Sequence, residues 1–453
     1  MRKHYHFIGI GGIGMSGLAQ ILLSRGERVS GSDISRSALL DFLREKGALI
    51  HLNHSAENLQ DVDAVVYSSD IPENNPEYQK ARENHIPIYH RSELLAYLME
   101  GYAPLLVTGT HGKTTTSSLL AHVLVKLGLD PCYAVGGIIR GLGSNARHGK
   151  GVYFAAEADE SDGSFLKYPS FGAIITNLDK DHLSYWGDEE SLNRGFVKFA
   201  GQVGSRRHLF WCKDDPRLQK LQLEGYSYGF DEKADFKIEN FEQHAWKSFF
   251  DLSYAGKVYR EIEIPLIGAH NVLNASAVLA MTIKLDLPID EVRKALLTFE
   301  GIGRRVEKKG SFGSIDFYDD YAHHPTEIFA TLRALKNVSK GRRMVVVFQP
   351  HRYSRTKECL DEFPEAFEYA DQLIVTDIYA AREAPSLGIT TDAFVKKLKE
   401  TCPIPTHYAS RDELAKFVSK FVKEDDFVVT MGAGDVTYLG QEVLNELNQH
   451  IHQ

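Results

Sequence analysis

Cysteine is scarce in this chain of 453 residues: Cys132, Cys212, Cys359 and Cys402 lie far apart, and none belongs to a C-x-x-C pair. That excludes a disulfide framework and a zinc signature, and it fits a reducing, cytoplasmic compartment. Long apolar runs are missing as well. The chain passes from Met1-Arg2-Lys3 straight into a strand-like run without a signal h-region, and no later stretch is long enough to span a bilayer, so membrane insertion is not expected. Positive charge is in deficit: 52 Lys and Arg against 61 Asp and Glu leave a formal net charge of -9. This argues against nucleic acid or an anionic membrane as the main partner, so any anionic ligand must be held by local clusters. Internal repeats and low-complexity tracts are absent.

What is present is an ordinary globular composition, 43% hydrophobic and 25% charged, in a chain longer than one core usually organises. Two to three domains are expected. The most informative stretch runs from Leu105 to Thr116 (LLVTGTHGKTTT). A short apolar run, read as a buried strand, breaks into a turn containing Gly109, Thr110, His111 and Gly112, which opens onto the helical run Ser117 to Leu127. Such a turn cradles phosphate: backbone N–H groups point inward, the helix adds its positive end, and Lys113 supplies a mobile charge. The hydroxyl of Thr114, with Thr115 beside it, can join the shell of a nucleotide-borne Mg²⁺. Only Thr110 and His111 separate Gly109 from Gly112, a shorter spacing than the general rule. We read it as an ATP site.

Upstream, Tyr5 to Ile10 reads as a strand, and Gly9-Ile10-Gly11-Gly12-Ile13-Gly14 satisfies G-x-G-x-x-G before the helical run Met15 to Ser24. Asp33 follows a second strand, Arg28 to Ser32, at the offset of a ribose-binding carboxylate. By itself this motif points to a dinucleotide, NAD above all. Ala64 to Ser68 and Pro87 to Tyr89 complete a small α/β unit with helices at Ala38 to Lys46, Glu77 to Asn84 and Ser92 to Met99. A joint is expected at Gly101 to Pro104.

Beyond the cradle, the predicted strands Val152 to Ala156 and Gly172 to Thr176 end in Glu157-Ala158-Asp159-Glu160-Ser161-Asp162 and in Asn177-Leu178-Asp179-Lys180-Asp181-His182. Both acidic runs fall on the sheet edge where α/β proteins bind ligands, and carboxylates with one imidazole beside a triphosphate suggest Mg²⁺ ligands. Ala234 to Ile264 alternates like an antiparallel hairpin insertion. Asn271 and Asn274 share a helical face, either to meet a purine edge or to cap the helix. After a second joint near Phe299 to Gly303, strands at Ile315 to Tyr318, Met344 to Phe348, Gln372 to Thr376 and Phe427 to Met431 make a third α/β unit. In it, Arg352 and Arg355 are spaced to converge on one small carboxylate.

Taken together, Phe7 to Gly17 (FIGIGGIGMSG), Gly109 to Thr116 (GTHGKTTT), Glu157 to Asp162 (EADESD), His270 to Asn274 (HNVLN), Asp319 to Pro325 (DDYAHHP) and Gln349 to Thr356 (QPHRYSRT) closely resemble the Mur ligases over essentially the whole chain. The resemblance implies three α/β domains: a Rossmann-like one at 1–102 for a UDP-sugar, a P-loop-type ATPase at 103–300, and a Rossmann-like one at 301–453 that brings the amino acid. It implies ATP-dependent ligation of L-alanine to the lactoyl carboxylate of UDP-N-acetylmuramate through an acyl phosphate, by a monomer or weak homodimer. On this pattern Gly9, Gly11, Gly12, Ile13, Gly14, Met15, Ser16, Asp33 and Ser68 take the UDP-sugar rather than NAD. Lys113 serves the β- and γ-phosphates, Thr114 and Glu157 one Mg²⁺, and Glu157 with His182 a second. Asn271 and Asn274 take the adenine side, Asp320 the ribose, and Arg305 the transferring phosphate. Tyr321, His323, Arg352 and Arg355 surround L-alanine. Several relatives use a carbamylated lysine near the second metal, but Lys198 is assigned no role. For the amine's base, His323 and His324 both stay open. So do four alternatives: a recycling ligase adding a tripeptide to the same sugar, the more distant folylpolyglutamate synthase, an NAD-linked oxidoreductase, and a silent nucleotide-binding scaffold.

Overall fold

The computed structural model describes residues 2–381, 383–385 and 388–451. Three sheets carry the chain. The first has five parallel strands in the order Leu49–His51, Arg28–Ser32, His4–Ile8, Ala64–Tyr67, Ile88–His90. Parallel neighbours need crossovers, supplied here by helices such as Ile13–Ser24, Ala38–Glu45 and Pro76–Glu83. His4–Ile8 is buried along its whole length, as expected of a central strand covered on both faces. Sequence reading missed the edge strand Leu49–His51, whose three residues are too few to show a period.

The second sheet has ten strands, with Ala103–Thr108 between Gly172–Ile175 and Tyr153–Glu157, parallel to both. Its far end carries the antiparallel segment the sequence suggests and enlarges it. The segment read as a hairpin insertion forms three strands, Phe236–His244, Lys247–Tyr254 and Lys257–Ile264, and they extend the central sheet through a parallel pairing of Phe236–His244 with Tyr226–Gly229. The two-residue links between the three leave only antiparallel pairing, and one link, Ala255-Gly256, has positive φ at both residues. The third sheet runs Glu307–Phe312, Ile315–Asp320, Phe427–Met431, Met344–Phe348, Gln372–Val375, Thr406–Tyr408, parallel except for the first pair. Four of these strands match the predicted ones to within two residues. Among the described residues no helix is long and apolar enough to cross a membrane.

These sheets are distributed over two compact units. One comprises Met1–Phe241, Phe249–Pro265 and Asn271–Gly301; the other comprises Glu242–Ser248, Leu266–His270 and Ile302–Gln453. Within the first unit the five-stranded and ten-stranded layers are locked by a buried amide: Asn145 Nδ2 donates to Ile13 O at 2.7 Å, and its Oδ1 accepts from Gln20 Nε2 at 2.9 Å. The longest segment of the second unit, from Ile302, opens with unusual backbone. Arg304 and Val306 have φ of 61° and 48°, the latter a strained value for a β-branched residue. Asp320 holds this turn by accepting from Val306 N at 2.8 Å and, with its other oxygen, from Ala322 N at 2.8 Å.

Candidate active site

In the first unit the strand Ala103–Thr108 delivers the chain into the glycine turn, and the helix begins at Lys113, earlier than the sequence suggested. Gly112 at φ 80° forms the N-cap, and its Cα lies against the Asn274 amide, which an added methyl would strike at 2.8 Å. The turn is strapped to the neighbouring strand end. His111 N donates to Asn177 Oδ1 at 2.8 Å, Asn177 Nδ2 returns to His111 O at 2.9 Å, and Asp179 N donates to Thr110 Oγ1 at 2.8 Å. Thr115 lies half-buried in the first helical turn.

Lys113 is largely sheltered rather than waving in solvent. Its Nζ donates to Gly109 O at 2.7 Å, Thr110 O at 3.1 Å and both oxygens of Glu160, at 3.0 and 2.8 Å. Burial opposes the charge, but Glu160, Asp159 and Glu157 around it keep the ammonium ionised well above its ordinary range. Burial likewise disfavours the Asp159 carboxylate, yet Lys113 and Arg91 outweigh it and bring the group down to about 2. Thr114 Oγ1 donates to Glu157 Oε2 at 2.9 Å, so the two expected metal ligands stand side by side. Gly136 N donates to the same oxygen at 3.0 Å. His182, at φ 58°, opens the short helix Leu183–Trp186 with its Nε2 3.5 Å from Asp181 Oδ2, and its charge acts on Asp159.

Asn271 and Asn274 lie inside the helix Ala269–Lys284, beyond its first residue, which disposes of the capping alternative. They bond to each other, Asn274 Nδ2 to Asn271 Oδ1 at 3.3 Å. At the N-terminal glycine turn, Gly9 takes φ 78° and Gly11 N donates to Asp33 Oδ2 at 2.9 Å. Gly12 caps the helix Ile13–Ser24, with Gly14 in its first turn, and Ser68 follows the strand Ala64–Tyr67, half-buried. Met15 and Ser16 depart from expectation: both side chains are buried, and the Ser16 hydroxyl donates to Ile13 O at 3.0 Å. The Ser16 N–H is also spent inside the helix, on Gly12 O at 2.8 Å.

In the second unit the strand ends gather cations. Tyr321 lies beneath two guanidinium groups, Arg304 at 4.8 Å and Arg305 at 5.2 Å from its ring centre. His323 packs edge-on against Tyr321 and against His351. Burial pushes the His351 imidazole down to about 3, and His323, Arg355, Arg352 and Arg304 add to the shift, so one small region concentrates positive charge. Arg352 opens the helix Tyr353–Glu358 at φ 69°, ψ 139°, a backbone an L-residue holds only under constraint; its N–H donates to Tyr379 O at 2.8 Å. Arg355 follows one turn on and is buried. Asp320 has a structural task of its own. Its carboxyl is buried, pushed up to about 6 mainly by desolvation, and engaged by the two backbone N–H groups named above, so it pins the turn as well as standing at the position expected for the ribose.

Three family profiles match successive stretches of the chain: "Mur ligase family, catalytic domain" over residues 4–103, "Mur ligase middle domain" over 107–282, and "Mur ligase, glutamate ligase domain" over 304–434. The chain belongs to the Mur ligase family. A UDP-N-acetylmuramate--L-alanine ligase from Protochlamydia amoebophila is 47% identical over 448 residues, 99% of both chains. The crystal structure of UDP-N-acetylmuramate-alanine ligase MurC from Thermotoga maritima matches with a TM-score of 0.85 and 30% identity over 99% of each chain. A murein peptide ligase from Psychrobacter arcticus, at 22% identity and a TM-score of 0.74 over 98% of each chain, shares the fold.

For a Mur ligase the NAD reading of Gly9 to Asp33 falls away; the turn keeps the helix-end chemistry without that cofactor. Several residues of this Mur ligase escaped the sequence reading. Glu160 stood in the acidic run but was not singled out as the partner of Lys113. Gly136 carries no motif at all. Arg91 belongs to the N-terminal sheet region yet sends Nη2 to Asp159 and Asp162, each at 3.3 Å, a contact no local pattern announces. Arg304 donates to the carbonyls of Gly432, Ala433 and Gly434, tying the Gly432-Ala433-Gly434 turn to Tyr321. His324 is removed from the candidates for a base: it is buried, and its Nδ1 accepts from Thr326 N at the start of the helix Pro325–Val338. Lys198 is exposed on the helix Glu189–Gly201.

Proposed function

We propose that this Mur ligase joins L-alanine to the lactoyl carboxylate of UDP-N-acetylmuramic acid while ATP is converted to ADP and phosphate. The names of the full-length relatives at 47% and 30% identity support the substrates. The observation that carries the chemistry is the Thr114–Glu157 pair at the mouth of a phosphate turn whose lysine is already charged and oriented. Two hard oxygen donors 2.9 Å apart fit adjacent positions of a magnesium octahedron, where oxygens at about 2.1 Å from the ion stand roughly 3 Å from each other. Bound there, Mg²⁺ would neutralise phosphate charge; His182 is assigned with Glu157 to a second ion.

A carboxylate is a poor electrophile, so activation comes first. The lactoyl oxygen attacks the γ-phosphorus, the bond to the β–γ bridging oxygen breaks, and ADP leaves with that electron pair. The amine then adds to the acyl carbon, and the tetrahedral species expels phosphate. In this reading Lys113 exchanges Glu160 for the β- and γ-phosphates, and Arg305 takes the transferring group. Residues 1–102 hold UDP through the glycine turn, with Met15 and Ser16 packed behind it and Asp33 and Ser68 at its border. Residues 103–300 hold ATP through Gly109 to Thr115, with Asn271 and Asn274 on the adenine side. Residues 301–453 bring L-alanine, its carboxylate on Arg352 and Arg355 and its body beside Tyr321 and His323. Phosphate release with UDP-N-acetylmuramate, ATP and alanine, glycine, serine or tripeptide tests this. Alanine gives the highest kcat/KM; tripeptide outperforming it would transfer the assignment to the recycling reaction, and binding of NADH in place of ATP would overturn the class.

A further inference from the structure

Two adjacent histidines of the second unit have partners that call for opposite tautomers, and the difference assigns them different work. His324 accepts from Thr326 N at Nδ1, so its proton sits on Nε2, 3.6 Å from Cys359 Sγ. His323 is the reverse: its Nδ1 lies 3.0 Å from Tyr321 O and 3.4 Å from Glu327 Oε2, both acceptors only. The proton is therefore on Nδ1 and the lone pair on Nε2. Glu327 is fixed in turn, because its Oε2 also accepts from the backbone N–H of His323 at 3.1 Å. A carboxylate that clamps the far nitrogen of an imidazole sets its tautomer and raises its basicity. Both side chains are largely sheltered, 15% and 13% exposed.

On the reading that this unit brings the amino acid, we infer that His323 Nε2 is the base that removes a proton from the incoming ammonium, with Glu327 as its positioning residue. The groups facing the imidazole are Glu327 from the helix Pro325–Val338 that follows it, Tyr321 from the preceding turn, and His351 from the next strand end; beyond His351 stand Arg304, Arg352 and Arg355. Those arginines attract the carboxylate of an α-amino acid and repel its ammonium, which directs the cationic end toward Glu327 and His323. One proton passes from the ammonium to Nε2, and the freed lone pair forms the bond to the acyl carbon. The carbon–oxygen bond to phosphate then breaks, and the second amine proton leaves with the phosphate.

Hydroxylamine provides the test, since it is uncharged near neutral pH and attacks an acyl phosphate without a base. Turnover of the full-length enzyme with UDP-N-acetylmuramate and ATP is measured with alanine and, separately, with hydroxylamine. In His323→Gln the ratio of alanine-dependent to hydroxylamine-dependent turnover falls about 100-fold or more, the range for loss of a general base. In Glu327→Gln the acid limb of kcat/KM for alanine moves to lower pH, while Gln preserves an acceptor for the His323 N–H. Equal loss with both nucleophiles, or an unmoved acid limb in Glu327→Gln, overturns the assignment. Absence of hydroxamate from the wild-type enzyme would instead refute the ligase reading on which it rests.

Discussion

Gly136→Ala isolates the metal pair from the fold. Gly136 is exposed on the strand Cys132–Ile139, and its backbone is not in the left-handed region, so alanine is conformationally acceptable there. An added Cβ would stand 2.5 Å from Glu157 Oε2 and 2.8 Å from Thr114 Oγ1. Both atoms end flexible side chains and swing aside at small cost to stability, but they cannot swing aside and keep their 2.9 Å spacing. The hydrogen bond from Gly136 N to Glu157 is weakened by the same motion. Displacing the support of a metal ligand lowers affinity about 10- to 100-fold, or roughly 1.4–2.7 kcal/mol. The assay is ATP-dependent phosphate release titrated with Mg²⁺, alongside thermal melting. The Mg²⁺ concentration for half-maximal rate should rise by that factor while Tm moves by no more than a few degrees. An unchanged Mg²⁺ dependence in a folded variant would show that Thr114 and Glu157 do not hold the ion.

Three further outcomes follow from the same geometry. Lys113→Ala should lower kcat at least 100-fold, but it also strips Glu160 of its partner, and a broken buried pair costs about 3–5 kcal/mol. The orphaned Glu160 can escape only by taking a proton, so its folded pKa rises and the loss of Tm is larger at pH 8.5 than at pH 6; a pH-independent loss would contradict the pairing. Arg352→Ala should raise the KM for alanine about 10- to 100-fold with a smaller change in the KM for ATP, as expected for one charge-assisted contact; an ATP defect of equal size would place Arg352 elsewhere. His351, pushed down to about 3, contributes stability that is present above its ordinary value near 6.5 and is lost as pH falls toward 3. His351→Gln should therefore lose less Tm between pH 7.5 and 4.5 than the wild type, by at most roughly 2–3 kcal/mol in stability; parallel melting curves would refute this.

The sequence alone determined the chemistry of each strand end and the order of the α/β units. Central parallel strands are covered on both faces and show as unbroken apolar runs, which is why the sequence marks Met344–Phe348 and Phe427–Met431 to the residue. Glycine, lysine and threonine at one turn carry their function locally, because a phosphate site is built largely from the backbone of a few consecutive residues. Tertiary structure decided what depends on partners distant in the chain. Lys113 reads as an exposed loop charge until Glu160, forty-seven residues on, is seen beside it. Asp320 reads as a free carboxylate until Val306 and Ala322 occupy it. His323 and His324 are indistinguishable as letters, since a tautomer is set by what each nitrogen touches, and only the fold places Tyr321 O and Glu327 against one ring and Thr326 N against the other.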